Sequence, residues 1–445
     1  MDGTTWNARH YGCRADGVHD DTEAIQKAIK AAAEAGGGTV LLPAGRYAIR
    51  GNLTIPAAVN LLGVCRVAPT AGKPELSDAT SVRITRPEDQ PGTVLVAYTG
   101  RGEPEAAPLI TLAGDMATVG GLTIIYPEFD PETIPPVPYP PTIGNAPGVC
   151  NVGIENLLFL HTYEAIRLIG APRHLIRNVT GYPLRRGILV DECGDIGHIE
   201  NVHFWPFGLM AYNPTAPLGE WVALNGVAFE FGRTDWQYVT NTFCFGYGVG
   251  YRFSPGYIQS EGLGGGGMNG QFSGMGADSC QRAILVEAAL PFGVLISNAE
   301  LSGRWKSPDA VCLEVMEGAN CTFRLDNCFF AGAQERCVWM RDPKSQLTLT
   351  NCHFNNWNSC GMQVDGGMVS AQGCTFGYPG YLNNPAYNQA LETLDQGNRA
   401  DICVKVGERA SAVLLTGNLA AKGFQVENHA GSRTVCVGNQ DWPAE

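Results

Sequence analysis

Hydrophobic positions along the chain follow two rhythms. Between Asp20-Asp21 and Gly36 they recur at helical spacing, with Ala24, Ile25, Ala28, Ile29 and Ala32 on one side. Asp20 or Asp21 stands where a helix cap is needed, and Glu23 adds negative charge to the first turn. Gly36, Gly37 and Gly38 end the pattern. After that, residues 39–42 and 46–49 read as strands either side of a Pro43-Ala44-Gly45 turn. No later segment has comparable helical periodicity. The expectation is one amphipathic helix followed by strands, the helix covering the end of a stacked sheet that would otherwise expose unpaired backbone groups.

The strand-like remainder repeats. Ile154-Glu155-Asn156, Ile176-Arg177-Asn178 and Ile199-Glu200-Asn201 each carry an aliphatic residue two positions before an Asn, with Asn spacings of 22 and 23. The pattern returns at Ile296-Ser297-Asn298, Leu325-Asp326-Asn327 and Leu349-Thr350-Asn351, and Gln372-Gly373-Cys374-Thr375-Phe376 continues the spacing with Gly in the Asn place. A second short apolar run precedes most of these: residues 165–168, 187–190, 283–286 and 337–340. A period in the low twenties built from short strands is the mark of a solenoid. A leucine-dominated consensus is absent, so the expectation is a parallel β-helix in which equivalent residues stack from coil to coil. Stacked Asn side chains can then hydrogen-bond along the stack. Cys328, Cys352 and Cys374 occupy equivalent places and are expected to pack as a column of buried thiols.

Breaks in the period mark insertions at 127–148, 205–221 and 254–276, expected as loops that wall a cleft. The prolines of the first argue against ladder strands there. The whole chain, 1–445, reads as a single β-helix domain, with 1–50 as cap and first strands.

Composition narrows the picture. Gly makes up 56 of 445 residues, which suits many turns, and charged residues are only 16%. The net charge of −13 argues against nucleic acid and anionic membranes as partners. It also leans against a strongly anionic polymer. No apolar run is long enough to span a bilayer. The first residues show no basic and apolar leader, and the 15 cysteines are odd in number and lack CxxC pairs. A cytoplasmic location is favoured on that ground, or a secreted one if a leader has been removed.

Residues 9–50 resemble the N-terminal signature of the pectate-lyase-like superfamily. The resemblance lies in Ala15-Asp16-Gly17 and Asp20-Asp21-Thr22, then Gly36-Gly37-Gly38-Thr39-Val40, then Pro43-Ala44-Gly45-Arg46-Tyr47. It implies a right-handed parallel β-helix with a helical cap, and carbohydrate as the class of partner. It does not fix a reaction. The carboxylate pattern of the polygalacturonases is missing: Asp20-Asp21 in the cap is the one Asp-Asp pair, and Gly197-His198 is followed by Ile199. Arg304-Trp305-Lys306 fits the last element of that pattern.

Chemistry-bearing residues concentrate in 183–253. Glycoside cleavage needs two carboxyl groups roughly 5–9 Å apart, and carboxylates on neighbouring coils fall in that range because coils lie about 4.8 Å apart. Glu230, flanked by Phe229 and Phe231, is the expected acid, with Asp191 or Asp235 as base or nucleophile. Arg186, His203, Trp205, Arg233 and Trp236 are the expected sugar-binding residues. Glu261 could reach over the cleft. No metal or cofactor is called for. The expected function is a glycoside hydrolase acting on an oligo- or polysaccharide. The alternatives are β-elimination on a uronic-acid polymer, an intramolecular sugar (fructo)transferase, and a glycan-binding tailspike-like protein. Several β-helix proteins are homotrimers, and the sequence leaves that open.

Overall fold

The computed structural model describes residues 5–75, 78–206, 216–257, 267–304, 307, 309–332, 334–377, 401–421 and 423–441. The chain is a right-handed parallel β-helix with a short helical cap. It divides into two compact units, Met1–Glu230 and Phe231–Glu445.

In the first unit α1 (Thr22–Glu34) buries Ile25, Ala28, Ile29 and Ala32, while Ala24 is only partly covered. Of the two expected cap residues, Asp20 is the one whose side chain reaches the helix start. Asp20 Oδ1 accepts from the Thr22 N–H at 3.0 Å. The Asp21 carboxylate turns away and takes the N–H groups of Arg14 and Ala15 at 2.7 and 3.0 Å. Asp21 therefore tethers the preceding turn and does not cap the helix through its side chain.

Two strand stacks follow. One contains Thr118–Ile125, Gly153–Leu160, Leu175–Gly181 and Gly197–Phe204 in parallel register, and the other Pro141–Asn145, Glu164–Ile169 and Arg186–Asp191. The repeated Asn residues sit where the first stack bends. Asn156, Asn178 and Asn201 all have φ between 52° and 57°, a left-handed conformation that Asn tolerates better than most residues. Their amides form a ladder, Asn178 donating to Asn156 at 2.9 Å and Asn201 to Asn178 at 2.8 Å.

The insertions are partly regular. Pro141–Asn145 is a strand paired on both sides, to Ile110–Leu112 and to Glu164–Ile169. Proline is accepted because Pro141 is its first residue, where the missing N–H matters least. The insertion at 205–221 runs into a helix, α2 (Ala216–Asn225), and that at 254–276 runs into the strand Gly270–Cys280.

The second unit repeats the plan. Its first stack holds Gln237–Phe245, Gly270–Cys280, Val294–Ser297, Thr322–Asp326 and Gln346–Thr350. Its second holds Val249–Phe253, Arg282–Val286, Val311–Val315, Arg336–Met340 and Cys360–Val364. Between them lies an aromatic core: Phe231, Phe253, Phe272 and Phe323 have ring centroids 5.1–5.6 Å apart. Each fully buried ring contributes about 2–3 kcal/mol of apolar burial. Phe330, Phe354 and Phe376 form a second stack. Cys328, Cys352 and Cys374 are buried and unpaired, as a column of core thiols should be. Among the described residues no helix is long and apolar enough to cross a membrane.

Candidate functional site

The structure separates the three expected catalytic carboxylates by environment. Asp191 and Glu230 have no solvent exposure. All five residues of Val227–Phe231 are buried, Glu230 among them. Glu230 faces Arg186 instead, with Nε 2.9 Å from Oε2. The same guanidinium lies 3.2 Å from Glu164, which Arg167 grips with two bonds of 2.8 and 2.7 Å. Two carboxylates and two guanidiniums thus neutralise one another, as buried charges must. α2 lies near this region, with Trp221 6.5 Å from the Tyr163 ring and Arg185 bonded to the Asn225 carbonyl at 2.9 Å. Of the expected catalytic and sugar-binding residues, Asp191, Glu230 and Arg186 are thus buried, and Glu230 and Arg186 are members of one ion cluster.

His203 and Trp205 are at the surface of the first unit, rings 6.0 Å apart and edge-on. The recess beside them, with Thr180 and Leu160, holds about 20 Å³, too little for a sugar. Arg233 is half-buried in the first turn of the second unit. Glu261, Trp305 and Lys306 lie outside the described residues.

Asp235 and Trp236 are different. The indole of Trp236 is 55% exposed. With Asp235, Asn269 and Phe292 it lines a cavity of about 400 Å³. Trp236 has φ of 53°, an uncommon conformation for an aromatic residue. Asn269 holds it there: its Oδ1 accepts the Trp236 N–H at 2.8 Å, and its Nδ2 donates to Asp235 Oδ1 at 2.6 Å. One nearly buried amide therefore sets both the carboxylate and the aromatic ring.

A second cavity of about 550 Å³ adjoins this one, the two sharing Gln271 and Leu295. It runs along the outer face of the first stack. Strand alternation sends Val239, Phe272, Ile296 and Leu325 inward and their neighbours outward. Register then aligns two outward columns, Tyr238-Gln271-Leu295-Arg324-Thr348 and Thr240-Ser273-Ser297-Asp326-Thr350. Ser297 donates to Ser273 at 3.2 Å along the second. These groove residues and Asn269 were not singled out from sequence. The signal that could have found them is the hydroxyl or amide at every second position of the first-stack strands. Among the described residues no group of three His, Cys, Asp or Glu side chains gathers to hold a metal.

Comparison with known proteins agrees with this architecture. A family profile described as "Rhamnogalacturonase A/epimerase, pectate lyase-like" matches residues 5–82. The chain is 49% identical over 65 residues to Mannuronan C5-epimerase AlgE2 of Azotobacter vinelandii, a match covering 13% of this chain and 6% of that one. Two solved structures are similar over nearly the whole chain. The bacteriophage phi29 gene product 12 N-terminal fragment has a TM-score of 0.57 at 13% identity, over 98% of this chain and 70% of that one. DFA-IIIase from Arthrobacter chlorophenolicus A6 in complex with GF2 has a TM-score of 0.53 at 10% identity, over 96% and 98%. The N-terminal residues thus match a pectate-lyase-like family model, and the coiled parallel strands give the chain the fold of right-handed parallel β-helix proteins.

Proposed function

We propose that the protein is a carbohydrate-active enzyme that cleaves glycosidic bonds in an oligo- or polysaccharide seated along the outer face of the first stack of the second unit. The observation that carries this reading is Trp236, exposed beside Asp235 at the end of a hydroxyl-lined groove. A flat indole stacks on the apolar face of a sugar ring, and a carboxylate at its edge moves the proton that bond cleavage requires. Asn269 holds both in place through its two hydrogen bonds. The curated relative named for mannuronan supports carbohydrate as the class of substrate.

Two-carboxylate hydrolysis asks for a partner within roughly 5–9 Å of Asp235. Asp326, the other groove carboxylate among the described residues, stands three coils along, about 14 Å at 4.8 Å per coil, and is further displaced along the strand direction because it aligns with Thr240, so it lies beyond that range. A lone acid–base group suits a second reading, intramolecular sugar transfer. There a hydroxyl of the substrate itself attacks the anomeric carbon, and Asp235 passes its proton to the leaving oxygen.

Product analysis decides among these. The protein is incubated with neutral and uronic-acid oligosaccharides, wild type beside Asp235→Asn, in water enriched in heavy oxygen. New reducing ends carrying the label mean hydrolysis, and unlabelled cyclic products mean transfer. In both cases Asp235→Asn should be inactive. An unsaturated uronate chromophore would overturn the proposal in favour of elimination.

A further inference from the structure

The groove also carries information about the charge of its ligand. Its two outward columns contain hydroxyl, amide and apolar groups from Tyr238 to Thr350, and Arg324 and Asp326 are the charged side chains lining it. These two are of opposite sign, two residues apart on one strand, and both exposed. Asp235 adds one further negative charge at the Trp236 end. Among the described residues the net charge of the lined surface is therefore −1. The columns continue without charge through Ser370 and Leu414 on one line and Gln372 and Thr416 on the other. The chain as a whole carries −13.

A polyuronate bears one carboxylate on every sugar. In an extended glycan each sugar advances by roughly one coil spacing of about 4.8 Å, so such a chain would bring several negative charges onto this groove. Arg324 offers a single positive charge, and Asp235 and Asp326 repel. The polar groups that do line the groove, Thr240, Ser273, Ser297, Thr348, Thr350 and Gln271, are neutral donors and acceptors of the kind that exchange hydrogen bonds with sugar hydroxyls.

We propose that this groove takes a neutral glycan, bound along the columns with Trp236 as its terminal stacking platform, and that it discriminates against polyuronates. This rests on the glycan reading above and narrows it. It sets the chain apart in substrate charge from the relative named for mannuronan.

The test is binding by calorimetry of gluco-, manno- and fructo-oligosaccharides against oligomannuronate and oligogalacturonate, in low and high salt. A neutral oligosaccharide should bind, with an affinity that changes less than about twofold between 0.05 and 0.5 M salt, since it releases no ion pairs. The polyuronates should bind at least tenfold more weakly. Ser297→Trp should block the groove and remove neutral binding. Trp236→Ala, at an exposed position, should weaken it tenfold or more with the fold intact. Tighter binding of a polyuronate, falling steeply with salt and lost in Arg324→Ala, would overturn the proposal while leaving the glycan reading standing. No binding by any of the five classes would overturn both. Neutral binding unaffected by both Ser297→Trp and Trp236→Ala would place the site elsewhere and also overturn it.

Discussion

The two outer faces of the second unit are built from the same coils and the same alternation, yet they spend charge differently. On the second stack, Arg282 and Arg341 both grip Glu314, which is 3% exposed. Arg336 and Arg341 lie over the Trp339 ring at 4.4 and 4.6 Å, and the Trp339 N–H reaches Asp365 at 2.7 Å. Arg252 and Glu287 make a two-bond pair at 3.0 and 3.1 Å. Charged groups there are matched by one another. On the first stack the outward positions are mostly hydroxyls, amides and isolated apolar groups, with two adjoining cavities. The difference teaches where to look for a ligand. A face whose charges are already matched by one another is finished as structure, whereas a face of surface hydroxyls beside an exposed indole still has bonds to offer.

If that division holds, the largest stability effect should come from the charged face. Glu314→Ala leaves two guanidiniums without their shared carboxylate and should cost about 3 kcal/mol, read as a fall in thermal midpoint. Glycan binding should be unchanged. Adding Arg282→Ala to Glu314→Ala should recover part of the loss, because it removes one of the stranded cations. Full additivity of the two would show that the pair is not coupled.

A second effect sharpens the same point through pH. Asp342, just beyond the strand Arg336–Met340, is buried. Burial alone would raise its pKa. Hydrogen bonds from Ser345 and from the N–H groups of Gly318 and Asn320 outweigh that and hold the carboxyl below its usual range. A depressed carboxylate pKa contributes stability that is present above the unfolded value and is lost as pH falls through the folded one. Asp342→Asn should therefore destabilise by about 2 kcal/mol at neutral pH. The gap to wild type should narrow as pH drops below about 4. A gap that stays constant with pH would mean that shape, not charge, is what the turn needs.

How much of this was legible beforehand depends on what each residue's role required. The coil period was, because Asn156, Asn178 and Asn201 must each take a left-handed bend and pass hydrogen bonds along the stack. That demand leaves a residue type at a fixed spacing. The cap helix was legible for a similar reason, since its buried face repeats. The fate of Glu230 was not. Whether a carboxylate on a strand is open or sealed depends on what packs above it, and a partner such as Arg186, 44 positions earlier in sequence, leaves no local trace. Asp235 and Trp236 were singled out for their chemistry, but the Asn269 that fixes them lies within the 254–276 insertion and carries no periodic signal.

On the open face, Trp236→Ala should reduce glycan affinity tenfold or more, about 1.4 kcal/mol or above, with little change in thermal midpoint. Asn269→Ala should lower affinity and also release the backbone of Trp236 from its left-handed conformation. Labelling with 5-fluorotryptophan separates the two. In Asn269→Ala the Trp236 resonance, assigned by its absence in Trp236→Phe, should shift and broaden without any sugar present. An unmoved resonance would make Asn269 a bystander.

The smallest expected effect is the most discriminating for the comparison. Ser297 lies in the middle of its column, is partly exposed, and donates to Ser273 across one coil. Ser297→Ala removes one surface hydroxyl, leaves no buried group unpaired, and should change stability by no more than about 0.5 kcal/mol. If the column serves a ligand, the same change should weaken glycan binding by about 1 kcal/mol, the worth of one hydrogen bond between neutral groups. The ratio of the two effects is what matters. On the charged face the stability term should exceed any binding term by several-fold, and on the hydroxyl face the order should reverse. Equal, negligible effects of Ser297→Ala on both would mean that the column is an ordinary solvated strand surface, and the contrast between the faces would then describe how the coils are built and nothing about what they bind.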